Sequence, residues 1–490
     1  MPFTKERVYD PEIAQAHTTT SSDQDLPLNS KETAIHSSSL QEGSTWYAKA
    51  HHYASRFGVE SRGIERVPSD ERSTAGMSQI GTLWLSANLV VSSFAIGALS
   101  YPVFHLGFVD TVLIILFVNL LGVIPVAFFS MFGPRFGLRQ MVLIAIFNCL
   151  ACIGWSAVNV IVGAQLFNAV NPRMPGWAGI IVIAAATFII TLFGYKIVHT
   201  YERYSWIPCL IIFLIVLGEF AHSGNFINTP MGIGKSETGA CLSFAASIFG
   251  FSTGWTSYAA DYTVYQPVDR SRKSIFLWTF TGLIFPLLFT EILGAAVATA
   301  MASNGGDNVF MSNYINSGIG GLLSSVLVPH LEDSDNFASL SSLSLSSQTT
   351  VRTSIPCLSP CKFFPRPLHA YRVSFGPSSE QSSIAQLPFP AIYEGIALSE
   401  HIFFKKGFQG YRPENHMDAS RLPPGMAAMT AFLFGVMGAV LGMAQVWFTG
   451  PIGKFCGAEY GGDVGFELAF AFSSISYCGL RWLEIKRFGR

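Results

Sequence analysis

The sequence predicts an all-α integral membrane protein. Half of its 490 residues are apolar and only 12% are charged, and several uncharged runs exceed the roughly 20 residues that a helix needs to cross a bilayer. Barrel strands would instead show segments of about ten residues with alternating hydrophobicity. The net charge of −1 gives no indication of nucleic acid or of another strongly charged partner.

The first part of the chain differs in composition from the rest. Residues 1–78 are polar, rich in Ser, Thr and His, and show no apolar period. This composition is typical of a disordered tail. No cleaved leader is expected, so the first span itself serves for insertion. Residues 79–490 are predicted to form the transmembrane domain.

Uninterrupted apolar runs predict nine spans, which cover residues 81–106, 111–132, 141–167, 177–195, 204–220, 240–262, 275–301, 425–448 and 464–477. If the tail is cytoplasmic, the basic residues near 135–139, 196–203 and 270–273 fall on its side of the membrane. Positive charge therefore supports a multi-pass protein with a cytoplasmic N-terminus.

One segment does not fit a helical bundle. Residues 332–386 are rich in Ser and Pro and cannot enter hydrocarbon, because each backbone group without a partner would cost several kcal/mol. Beyond it only 387–404 resembles a span before 425, and this run carries Glu394 and Glu400. The predicted domain is thus interrupted by an aberrant segment.

A Trp and an Asn inside the third span have the chemistry to bind a flat ring. Trp155 and Asn159 are four residues apart, which places them on one face of a helix. Stacking on an indole contributes about 1–3 kcal/mol per base. A carboxamide both donates and accepts, and can pair with the edge of cytosine, adenine or hypoxanthine. The alternative is a Trp at a helix interface and an Asn bonded to a neighbouring helix.

The sixth span contains a predicted break in the helix. Gly250 and Gly254 flank Ser252 and Thr253 in an apolar run, and a break there would free backbone groups for a ligand or an ion. Trp255 could then cover the second face of the ring. The alternative is close helix packing through small residues.

Long motifs resemble those of fungal purine-cytosine permeases, in the nucleobase-cation-symport-1 family. They are 63–68 (GIERVP), 84–88 (WLSAN), 137–141 (GLRQM), 249–256 (FGFSTGWT), 260–265 (ADYTVY), 461–468 (GGDVGFEL) and 483–486 (LEIK). The similarity spans about 60–330 and 388–490. It implies a LeuT-like fold of two inverted five-helix repeats plus two extra helices.

The resemblance also implies a function. Members of this family are not enzymes; they take up cytosine and purines such as adenine, guanine and hypoxanthine across the plasma membrane, with the proton as coupling ion and no cofactor. Ser93 matches a substrate-contacting serine position of the family, although such a hydroxyl can also bond its own helix backbone. Trp155, Asn159 and Trp255 complete the implied substrate site. The sequence gives no indication of the oligomeric state.

The chain departs from the family in two places. A connector is shortened at Leu143–Ile144, and residues 332–386 stand where the eighth and ninth helices are expected. A shifted reading frame over 349–357 can spell the Asn-Asn-x-Pro-Asn motif of the family, so a frame-shifted or misspliced message is one hypothesis. The alternatives to nucleobase uptake are a carrier of another ring, such as uracil, allantoin or a vitamin, and a product that does not transport.

Other polar residues carry less information. Cys149 and Cys152 have the spacing of a metal pair but lack companion ligands, so no metal site is expected. Carboxylates inside a membrane are functional candidates by default. Asp261 lies near the end of the sixth span and is interpreted as interfacial. Glu291 lies deep in the seventh span, where the family pattern is apolar, and its role stays open.

Overall fold

The computed structural model describes residues 72, 76–136, 173–192, 195–300, 388–412 and 421–489, together with individual residues of 153–167. Of residues 135–136, 188–192 and 195–202 and of Tyr258 it describes only the backbone. Most of the predicted tail, the connector at 143–144 and the aberrant segment at 332–386 lie outside the described residues.

The first predicted span is a broken helix. It consists of α1 (Ser78–Asn88) and α2 (Val91–Ala98), whose axes are bent by 54°. A break leaves backbone carbonyls without their helical partners. The hydroxyl of Ser93 can donate to the carbonyl oxygen of Asn88 at 2.9 Å or of Val90 at 2.7 Å, and so compensates for this loss.

Three helices of the described part are long and apolar enough to cross a bilayer, or four spans if α1 and α2 count as one. They are α3 (Phe108–Ser130), continued by the short α4 (Phe132–Phe136), then α6 (Tyr195–Ser223) and α8 (Arg272–Thr299). The shorter apolar helix α5 (Gly176–Leu192) precedes α6. These helices cover most of the runs predicted at 111–132, 177–195, 204–220 and 275–301.

The sixth predicted span is shorter than expected. Helix α7 (Lys235–Thr253) is followed by Gly254 and a 3-10 turn (Thr256–Tyr258), so the helix ends beside the expected break and does not continue to residue 262, where the predicted span ended. Hydroxyl groups compete for backbone carbonyls there, because Ser252 can donate to Ile248 at 3.0 Å. Hydropathy depends on side-chain polarity alone and therefore does not show that the backbone leaves the α-helix here.

Helix α8 packs against α1, α2 and α3 through close backbone contacts. A Cβ atom added at Gly97 of α2 would overlap the carbonyl of Glu291 in α8. A Cβ at Gly294 of α8 would overlap the carbonyl of Phe94 in α2. Glycines at these two positions therefore set the separation of the two helices.

The C-terminal part forms a second group of helices. In chain order it contains α9 (Phe389–Ser399), a π turn (Glu400–Phe404), a 3-10 turn (Phe408–Gly410), α10 (Met426–Gly442), the antiparallel strands β1 (Ala444–Gln445) and β2 (Phe448–Thr449), α11 (Pro451–Phe455) and α12 (Gly465–Phe488). The span predicted at 425–448 was wrong after 442, where the chain leaves the helix for the hairpin.

The last helix is longer than the predicted 464–477. It runs to Phe488 because its charged residues find partners. The guanidinium of Arg481 lies 2.8 Å from Glu484 and 3.4 Å from Glu400, and Glu484 also accepts from the backbone N–H of Ala427 at 3.3 Å. These contacts join α9, α10 and α12 at one end, and Arg481 is only 4% exposed.

Buried apolar residues fall into separate clusters. The largest is built from α1, α2, α3, α7 and α8, with Trp84, Phe244 and Leu283 among its fully buried members. Another is built from α9, α10 and α12 around Phe432 and Phe466, and α7 packs against it through partly buried residues. Helix α7 therefore contacts both groups.

Candidate functional site

The break between α1 and α2 carries several buried polar side chains. Asn88, Ser92 and Ser93 are all at most 3% exposed. The carboxamide of Asn88 donates through Nδ2 to the carbonyl oxygen of Trp84 at 3.0 Å, which fixes its Oδ1 as the acceptor on the other side. A set of oriented hydrogen-bonding groups thus lies inside an otherwise apolar bundle.

Trp255 lies directly against this break. Its indole N–H donates to Oδ1 of Asn88 at 3.1 Å, and its side chain is 5% exposed. The ring meets Trp84 and Tyr262 edge to face, with centroid distances of 5.6 and 6.4 Å. The end of α7 is therefore tied to the end of α1.

Asn159 lies on the other side of the break. Its side chain is fully buried, and its Oδ1 accepts from the hydroxyl of Ser92 at 2.6 Å. The carboxamide that the sequence singled out therefore contacts the first helix rather than lipid. Trp155, its predicted partner, lies outside the described residues.

Ser93 connects the break to α8. Besides its two backbone acceptors, its Oγ lies 2.9 Å from Oγ1 of Thr290, whose hydroxyl can donate to Ser93 or to the carbonyl oxygen of Pro286 at 2.7 Å. Ser93 is 0% exposed. Its hydroxyl thus bonds within the protein in this conformation, as the alternative interpretation of this serine expected.

Glu394 of α9 faces the end of α7. Its Oε1 accepts from the hydroxyl of Thr256 at 2.9 Å and from that of Thr253. The glutamate is 3% exposed. Gly254 lies between the two threonines, and Gly250 lies one turn earlier in α7. The predicted glycines thus flank the place where the helix ends and a carboxylate from another helix meets it.

The structure places Ser93, Asn159 and Trp255 around the α1–α2 break, where Ser93 and Trp255 contact Asn88 and Asn159 contacts Ser92. Asn88, Ser92 and Glu394 are further candidate site residues that no sequence motif indicated. An Asn or a Glu inside an apolar run was the available signal. Among the described residues no group of three or more His, Cys, Asp or Glu side chains could hold a metal ion.

Comparisons with known proteins point to a carrier. A family model described as "Permease for cytosine/purines, uracil, thiamine, allantoin" matches residues 66–360. The chain is 47% identical to the purine-cytosine permease fcyB of Emericella nidulans, over 94% of this chain and 96% of that protein. It is 36% identical to the purine-cytosine permease FCY2 of Saccharomyces cerevisiae, over 91% and 89%.

A solved structure shares the fold. It is Mhp1, a nucleobase-cation-symport-1 family transporter, in a closed conformation with bromovinylhydantoin bound. The TM-score is 0.58 at 10% identity, and the match covers 88% of this chain and 96% of that one. The predicted transporter fold is confirmed, and both the relatives and the fold are those of transporters rather than enzymes.

Proposed function

Since the chain belongs to the family of permeases for cytosine/purines, uracil, thiamine and allantoin, we propose that it takes up cytosine and purines across the plasma membrane. Protons move inward with the substrate and supply the driving force. The carrier alternates between outward- and inward-open states around a site at the broken helices, as is general for transporters with discontinuous spans.

The observation that carries this proposal is the buried Asn159 carboxamide beside the break of the first helix. A carboxamide offers both a donor and an acceptor, which matches the mixed edge of cytosine, adenine, guanine or hypoxanthine. The Ser92 hydroxyl, 2.6 Å from Oδ1, orients that group. A buried site of this kind rejects rings that leave its polar atoms without partners.

Trp155 and Trp255 are the proposed clamp on the faces of the ring. Each base–indole contact would contribute about 1–3 kcal/mol. The indole of Trp255 is held at the break by Asn88, and Trp155 shares a helix face with Asn159 by sequence spacing. Ser93, whose hydroxyl lies within hydrogen-bonding distance of both helix ends and of Thr290, would complete the site on the α2 side.

Uptake of radiolabelled cytosine by the full chain, expressed in a fungal strain without its own nucleobase permeases, tests the proposal. We expect saturable uptake that Asn159→Ala abolishes at an unchanged surface level. The matched control is Asn225→Ala in the loop after α6, which should transport normally. Undiminished uptake by Asn159→Ala would reject the assigned role.

Two other outcomes of this experiment separate the alternatives. The family description includes uracil, thiamine and allantoin, so each is added as a competitor with adenine and hypoxanthine. Inhibition by one of these three rings, and not by purines, would assign the carrier to that ring. A full chain that fails to reach the cell surface would favour the product that does not transport, with residues 332–386 as the cause.

A further inference from the structure

A glutamate and an asparagine form a buried pair between α3 and α8. Glu291 and Asn119 are both 0% exposed. The carboxamide Nδ2 of Asn119 donates to Oε2 of Glu291 at 2.6 Å and to the carbonyl oxygen of Ile115 at 2.9 Å. Because both neighbours of Nδ2 are acceptors, the orientation of the carboxamide is fixed.

This orientation leaves two acceptors without donors. Oδ1 of Asn119 and Oε1 of Glu291 have no hydrogen-bond partner in the described structure. Both oxygens belong to groups that already share one hydrogen bond. Buried oxygens without donors are costly, so two in one pair need an explanation.

Charged groups that could compensate an ionised Glu291 are distant in the described residues. The packed helices α1 and α2 contain no titratable residue. The charged residue of α3 is Asp110, nine positions and about 13 Å from Asn119 along the axis. On α8 itself, Arg272 and Lys273 lie more than four turns away. Helix α6 meets α8 through an apolar cluster in which Cys209 is the titratable member.

We infer that Glu291 and Asn119 form a proton-binding site. A proton added to Oε1 supplies the donor that Oδ1 of Asn119 lacks, while the bond from Nδ2 to Oε2 remains. The result is a carboxylic acid paired with a carboxamide through two hydrogen bonds. No other bond forms or breaks, and the proton comes from water and returns to it.

The site is connected to the helix that carries the candidate substrate residues. Oγ1 of Thr290, the residue before Glu291, lies 2.9 Å from Oγ of Ser93 in α2, and the backbone of Glu291 is in close contact with Gly97 of the same helix. Loading and release of the proton therefore act at the α2–α8 contact. This step rests on the proposed function, in which the same proton accompanies the nucleobase.

Infrared difference spectroscopy of the purified full chain tests the site without transport. We expect a carbonyl band of a protonated carboxylic acid that is lost in Glu291→Gln and shifted in Asn119→Leu. The control Glu459→Gln, an exposed carboxylate in the loop before α12, should leave the band unchanged. A spectrum of Glu291→Gln identical to that of the parent protein overturns the inference, and Gln keeps the shape of the protonated acid.

Cytosine uptake provides the second measurement. Uptake by the parent and by Glu459→Gln should increase when the outside is more acidic than the inside. This increase should be lost in Glu291→Gln. If uptake by Glu291→Gln still responds fully to the proton gradient, Glu291 does not couple the proton to transport. If neither the parent protein nor any variant transports cytosine, the proposed function fails. The proton site still stands in that case if the infrared band depends on Glu291.

Discussion

A polar contact helps to orient Trp255. Its indole N–H is bonded to Asn88, a residue 167 positions earlier in the chain, and Asn88 is in turn bonded to Trp84 in its own helix. Sequence spacing could indicate Trp155 and Asn159 as a pair, since they are four residues apart. It could not reveal the partner of Trp255, because that contact is formed only when two broken helices pack together.

Replacing Asn88 with Leu should therefore weaken substrate binding through Trp255. Loss of one such hydrogen bond costs about 0.5–1.5 kcal/mol, which corresponds to an increase of about two- to tenfold in the KM for cytosine. The concentration dependence of uptake measures it. Trp255→Phe, which keeps a ring but lacks the N–H, should give a similar increase.

A double-mutant cycle separates this contact from independent effects of the two residues. If the contact matters, Asn88→Leu combined with Trp255→Phe is no worse than the more severe single variant. The control is Trp447→Phe in the hairpin, where the indole is 67% exposed, and its KM should equal that of the parent. Strictly additive increases in KM would show that Asn88 does not act through Trp255.

Helix ends were the least predictable feature among the elements. Hydropathy located the apolar runs of α3, α6 and α8, and the glycines near Gly254 indicated where α7 stops. The hydropathy pattern placed the end of the last span at residue 477, because the charged residues after it resemble those that flank a membrane. The helix continues to Phe488 since Arg481 is compensated by Glu484 and Glu400. Glu400 is far away in the sequence, so no local pattern could indicate this ion pair.

Helix separation at the α2–α8 contact should depend on Gly294. An added methyl group would overlap the carbonyl of Phe94, and overpacking of this kind typically costs about 1–3 kcal/mol. Gly294→Ala should therefore lower the midpoint of thermal unfolding of the detergent-solubilised protein and its level at the cell surface.

Gly218 in α6 is the matched control for Gly294. No atom lies within 4 Å of a Cβ added there, and Ala is favoured over Gly inside a helix by about 1 kcal/mol. Gly218→Ala should leave the unfolding midpoint unchanged or raise it slightly. Equal midpoints for both alanine variants would contradict close packing as the reason for glycine at 294.

At the scale of the whole molecule, α7 contacts two groups of helices, and α3 also meets the second group where Phe129 packs against Tyr393 of α9. The sequence predicted a bundle and its family, but apolar runs alone do not say which helices touch. The structure shows that α1, α2, α3, α7 and α8 share one apolar cluster and that α9, α10 and α12 share another. Polar contacts from Thr253 and Thr256 to Glu394 cross between the groups.

Alternating access requires groups of helices to move relative to each other, and the contact between α7 and α9 is where we expect this movement. Thr256→Cys and Glu394→Cys, joined through two disulfide bonds by a short bis-methanethiosulfonate reagent, should abolish cytosine uptake, and a reductant that cleaves these disulfides should restore it. The parent chain and each single variant, treated identically, control for native cysteines and for the substitutions. Full uptake by a completely cross-linked protein would mean that α7 and α9 stay together throughout the cycle, and the movement would then have to lie between other helices.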